Sequence, residues 1–171
     1  MRAVMLEVPE ALVEERRRLG IDGRDEMWEG VLHMVPPPFD RLQRLEAKLL
    51  LALAPPAQRL GLVTTVETGV FRADNDYRVP DLVISRSEDR SERGIEGRAE
   101  LVIEIRSPND ETYQKIDWYL SVGVREIVVI DRDTLGVTRF GSNGALAVTF
   151  ETLEGPRLRL TWDGGQEEIS V

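Results

Sequence analysis

The stretch LVIEIRSPNDETYQKIDWYLSVGVREIVVID, residues 101–131, decides how this 171-residue chain folds. It opens as a buried strand, Leu101-Val102-Ile103, and breaks at Ser107-Pro108. A helical pattern follows over 109–121, and a second apolar run, REIVVID, closes the unit at 125–131. A strand, a helix and a strand in that order predict a right-handed crossover between two parallel strands over 98–131. Side chains alternate along a strand, so Leu101, Ile103 and Ile105 face one way and Val102, Glu104 and Arg106 the other. Glu104 therefore sits at the edge of the core, where an unpaired carboxylate is costly.

A second strand carries the same anomaly. YRVPDLVIS, residues 77–85, sets Pro80-Asp81 directly before Leu82-Val83-Ile84. Proline is confined to strand starts, edges or bulges, so Asp81 falls at an irregular point that can re-aim its side chain. If the two strands pair, Asp81 and Glu104 are neighbours.

Working outward, residues 9–19 predict a helix stopped by Gly20, and 25–35 a hairpin or bulged strand around Glu29-Gly30. PPPFDRLQRLEAKLLLALAPP, 36–56, predicts an amphipathic helix on Leu42, Leu45, Leu49 and Leu53, bounded by prolines. Strands are expected near 61–72 and 78–85, a mobile surface loop at 86–97, and an antiparallel meander over 135–171. This order predicts a single domain over 1–171, of class α+β (mixed α/β), with a mixed central sheet flanked by helices.

Composition narrows the chemistry. There is no cysteine, so disulfides, thiol catalysis and Cys-based zinc sites are excluded. The net charge of −9 argues against a broad basic surface that gathers nucleic acid, since non-specific DNA affinity comes from Lys and Arg on phosphates. Early charges speak against a signal peptide, and no run approaches the roughly 18 apolar residues of a membrane span. A soluble, cytoplasmic protein is the expectation.

Lysine occurs only at Lys48 and Lys115; every other basic residue is arginine. In such a chain Lys115, on the helix after the Glu104 strand, marks a place that needs a compact or titratable ammonium. On the expected helix Ser107 or Asn109 is the cap, Tyr113, Ile116 and Leu120 form the apolar stripe, and Lys115 stands beside it. Two carboxylates and a lysine suit metal-assisted phosphodiester hydrolysis. The acids Asp81 and Glu104 would hold magnesium or manganese, and Lys115 would orient water or stabilise charge.

VPDLVIS followed by LVIEIRSPNDETYQKIDWYLSVGVREIVVID resembles the Uma-type restriction-endonuclease family, a branch of the PD-(D/E)XK nuclease superfamily. DEMWEGVLHMVPPP resembles its opening hairpin and proline turn. The likeness spans roughly residues 25–131. It implies a restriction-endonuclease-like core, DNA as substrate, magnesium dependence and often a homodimer. It matches Asp81 and Glu104 to the two motif acids. The superfamily's usual lysine position holds Arg106, which cannot be deprotonated, and Lys115 matches the lysine that has moved to the following helix. Leu42-Gln43 replaces a frequent His-Gln pair.

Simpler readings stand beside these. Glu104 and Arg106 can pair with charges across the sheet, and Lys115 can pair in solvent with Glu111 four residues earlier. Asp81 can be a turn residue, and His33, Trp118 and Tyr119 structural. Glu26, Glu29 and Glu46 are surface charges or a third metal ligand. Ser107 has no histidine partner for nucleophilic chemistry. The alternative function is a catalytically inactive nuclease-fold protein acting as a dimeric interaction or regulatory module.

Overall fold

The computed structural model describes residues 3–5, 7–20, 22–35 and 37–170. The N-terminal part holds β1 (Ala3–Met5), α1 (Glu10–Leu19), the hairpin β2 (Glu26–Trp28) and β3 (Val31–Met34), and the long helix α2 (Asp40–Arg59). There follow β4 (Leu62–Val66), β5 (Val70–Ala73), β6 (Asp76–Arg78), β7 (Leu82–Arg86), β8 (Ile95–Glu96) and β9 (Leu101–Arg106). Helix α3 (Ile116–Val122) leads to β10 (Glu126–Asp131) and β11 (Val137–Gly141). The last three strands are β12 (Thr149–Leu153), β13 (Arg157–Trp162) and β14 (Gly165–Ser170).

The central sheet has the order β11-β10-β9-β7-β4. β9 and β10 run parallel, while the other neighbours are antiparallel, so the sheet is mixed as expected. Its middle strands are buried on both faces, which explains their near-continuous apolar runs. On one face Leu82, Ile84, Leu101, Ile103 and Ile105 pack with the α2 leucines Leu45, Leu49 and Leu53. On the other, Val83, Val102, Ile127 and Val129 pack with Ile116 and Tyr119. Glu104 and Asp81 share the parity of Val102 and Val83, hence the face under α3.

A second sheet, β1-β3-β2-β6-β5-β8, carries the hairpin, and β12-β13-β14 form an antiparallel meander. Glu29 and Gly30 take positive φ of 50° and 90°, the conformation a tight two-residue hairpin turn requires.

Several boundaries differ from expectation. α2 starts at Asp40 and continues through Pro55 and Pro56 to Arg59. Burial of Pro56 and Ala57 offsets the hydrogen bonds those prolines remove. Pro36, at the start of the expected helix, lies outside the described residues. The single strand expected near 61–72 is two strands in different sheets, parted at Glu67, whose φ is 48°. Likewise 78–85 splits, with Arg78 ending β6 and Leu82 opening β7. The 86–97 segment is tied down: Ile95 is fully buried, β8 pairs with β5, and Arg93 pairs with Glu96. β11 belongs to the central sheet, so the terminal meander is three strands long.

The helix expected over 109–121 forms late. Asn109 adopts φ 60°, residues 112–115 make a 3-10 turn, and α3 begins only at Ile116, with no side-chain cap. Tyr113 and Leu120 are exposed, and the buried side is Thr112, Lys115, Ile116 and Tyr119. Of the expected stripe Ile116 is buried, while Lys115, expected beside the stripe, takes a place within the buried side.

Candidate active site

β7 and β9 pair with Leu82 opposite Ile103, so Asp81 stands opposite Glu104 one step beyond the last pair. Pro80 lies in the break between β6 and β7, and the Asp81 carboxylate beside it takes a backbone donor of β9. Its Oδ2 accepts a 2.6 Å hydrogen bond from the Ile105 amide. Its Oδ1 accepts from Arg24 Nη2 at 3.2 Å, and Arg24 also contacts Glu67 at 3.3 Å.

Glu104 lies under α3, buried at 4% exposure. Lys115 Nζ donates to both of its oxygens, at 3.0 and 3.2 Å, and the Tyr119 hydroxyl donates to Oε1 at 2.7 Å. Lys115, only 1% exposed, also donates to Glu26 Oε1 at 2.7 Å. Glu26 arrives from β2 and is fixed by the Val79 amide at 3.1 Å and the Trp28 indole at 2.8 Å. The solvated Glu111–Lys115 pairing is thereby overturned, because the lysine is not in solvent.

Arg78 holds the hairpin against α3. Its guanidinium lies 4.5 Å from the Trp28 ring centroid and 4.4 Å from that of Trp118, and it donates to Met27 O and Asp76. His33 stacks on Trp28 at 4.0 Å with its Nδ1 3.2 Å from Glu111, which suits its structural reading.

Of the other acids, Glu46 is buried beside this group on α2 and bonded by the Gln43 amide at 2.8 Å. Glu29 is exposed at the hairpin turn, where its backbone amide donates to Asp76. Arg106 points to Asp131 at 3.1 Å and lies over the Tyr113 ring. That is the cross-sheet pairing, and it separates Arg106 from the buried group.

Acid outweighs base here, and burial makes it costly. Desolvation, then the charges of Asp81 and Glu26, push Glu104 up to about 7 against the pull of Lys115. Desolvation and nearby Asp81 and Glu67 raise Glu46 to about 7. Desolvation also raises Asp81, opposed by the Ile105 amide, Lys115 and Arg24. Asp81, Glu104 and Lys115 meet at a cleft of about 410 Å³ whose lining includes Pro37, Phe39 and Leu42. Among the described residues, no cluster of three or more carboxylates or imidazoles is spaced to hold a metal.

The sequence pointed to Asp81, Glu104 and Lys115 but missed Tyr119 and Arg24. Tyr119 was findable, since it lies one helical turn beyond Lys115 and so shares its face. Arg24 has no local signal.

The mixed sheet thus carries two acids at paired strand ends, beside a lysine from the 3-10 turn that leads into α3. The chain belongs to the Uma2 family, described as "putative restriction endonuclease", whose profile matches residues 13–163. Among solved structures it is similar to "a putative nuclease belonging to DUF820" from Anabaena variabilis. That match has a TM-score of 0.56 and 15% identity, and covers 86% of this chain and 76% of the other, a likeness of fold. No curated protein matches the chain. Among the described residues no helix is long and apolar enough to cross a membrane.

Proposed function

We propose that the chain is a metal-dependent endonuclease that hydrolyses DNA phosphodiester bonds, with Asp81 and Glu104 holding magnesium or manganese. The observation that carries this reading is the meeting of Asp81, Glu104 and Lys115, from three different elements, at one cleft. The donor set fits a hard cation. Magnesium is usually held by one or two carboxylates together with waters and substrate phosphate rather than by an all-protein cage. The surplus of buried acid, expressed in the raised Asp81 and Glu104, is a surplus that a divalent cation relieves.

When bound, the cation polarises the phosphate and lowers the pKa of the attacking water. The protein's own groups do the rest. The Ile105 amide and Arg24 fix the Asp81 carboxylate, and Tyr119 fixes that of Glu104. Glu26 and Glu104 hold the Lys115 ammonium at the cleft, where it positions water and offsets negative charge developing on the phosphate oxygens. Glu46, which feels the charge of Asp81, is the candidate for a third ligand, whereas Glu29 is exposed at the hairpin turn.

The test is incubation of plasmid and short duplexes with magnesium or manganese, beside the double variant Asp81→Ala/Glu104→Ala. Cleavage by the native chain alone is the expected result; equal activity in both would sink the reading. One observation favours the second reading, a catalytically inactive dimeric interaction or regulatory module. Every carboxylate oxygen of Asp81 and Glu104 already accepts a protein donor, as in a structural ion network. On that reading manganese does not bind, and calorimetric titration separates the two.

A further inference from the structure

We infer that Phe39 is a base-stacking platform, and that the substrate is single-stranded or locally unpaired DNA. The inference rests on the nuclease reading and adds a substrate class to it. Phe39 lines the same cleft as Asp81, Glu104 and Lys115, yet is 70% exposed. An exposed aromatic that lines a cleft offers a stacking surface, and the chemistry of its occupant follows from the surroundings.

Pro37, Pro38 and Leu42 add apolar lining to the same cleft, which also carries the polar Ser107, Asn109 and Asp110. The Arg132 guanidinium stands 6.0 Å from the Phe39 ring centroid and is held by Ser107 Oγ and Asp133. With the guanidinium over one face of the ring, the exposed remainder takes a base while the phosphate reaches the acids and Lys115 that line the cleft, which matches one nucleotide. A cleft of about 410 Å³ is of small-molecule size.

Charge argues for the unpaired strand. Duplex binding draws its affinity from cations on phosphates, and this chain is at −9. The cations around the cleft are already engaged: Arg24 with Asp81, Lys115 with Glu26 and Glu104, Arg106 with Asp131, and Arg132 with Asp133. Affinity has to come from another source, and stacking on an aromatic ring needs an unstacked base. The Phe39 carbonyl accepts from the Leu42 and Gln43 amides at the start of α2, while its ring stays 70% exposed and touches Arg132, so Phe39→Ala leaves the buried core intact.

The experiment measures binding with calcium in place of magnesium. The probes are a short single strand carrying one 2-aminopurine, its duplex, and the same strand with an abasic site in place of that base. The single strand should bind more tightly than the duplex or the abasic strand, with quenched 2-aminopurine emission. Phe39→Ala should weaken single-strand binding about 5- to 150-fold, the range for losing one stacked base, and Phe39→Trp should restore it. Equal affinity of Phe39→Ala and the native chain, duplex preference, or no binding of any strand would each overturn the inference. Phe39-dependent binding without cleavage in magnesium or manganese removes the nuclease reading and keeps the platform. Cleavage with an unchanged KM in Phe39→Ala does the reverse.

Discussion

The Lys115 ammonium lies 2.7 Å from Glu26 although 89 residues separate them in sequence, and both side chains are almost wholly buried. The hairpin and the helix after β9 are therefore joined by a charge pair at the centre of the site. Removing one member of such a pair leaves the other charge uncompensated in a low-dielectric interior.

Lys115→Met leaves Glu26 and Glu104 facing each other without a cation. We expect a loss of about 3–5 kcal/mol in urea unfolding at pH 8. The loss should shrink as pH falls, because Glu104, without the pull of Lys115, takes up a proton at a pH above its native value of about 7. An unchanged midpoint at pH 8 would mean that the pair contributes nothing.

Glu46 titrates near 7 in the folded protein, against 4.5 for an ordinary glutamate. Between those values the folded state holds more protons, so this residue's contribution to stability falls as pH rises and is most unfavourable above about 7. Glu46→Gln should therefore stabilise the protein at pH 8, by about 2 kcal/mol after solvent screening, and should be neutral near pH 4. Thermal unfolding of both proteins across that range checks the sign.

Asp81→Asn keeps an oxygen for the Ile105 amide and removes the charge. Folding should survive, while manganese affinity by calorimetry and plasmid cleavage both fall at least tenfold. Retention of either at the native level argues against Asp81 as a ligand.

Arg106→Gln tests the negative expectation. Its partner Asp131 is partly exposed, so the pair should be worth at most about 1 kcal/mol. Cleavage should stay within about threefold of native, a ratio of under 1 kcal/mol. A large drop would put Arg106 back in the water-handling role.

The strands of the site were legible because their signals are local. An alternating apolar run interrupted by Glu104, and a proline before Asp81, announce their positions whatever the rest of the chain does. The helix was harder: a lysine in its buried stripe inverts the usual polarity, and the periodicity selected Tyr113 and Leu120, which are exposed. Arg24 and Glu26 reach the site through the pairing of the hairpin with β6, a contact across sequence that no window contains. The prolines at 55 and 56 read as a stop because their cost is local, while the burial that offsets it is tertiary.

The sandwich of Arg78 between Trp28 and Trp118 gives the protein a built-in optical reporter. The chain's third tryptophan, Trp162, sits apart in the terminal meander, so two of the three indoles flank one guanidinium. Emission from that pair depends on the hairpin remaining seated on α3. On the proposed reading, a metal or nucleotide that shifts the hairpin against α3 would change this emission without any label.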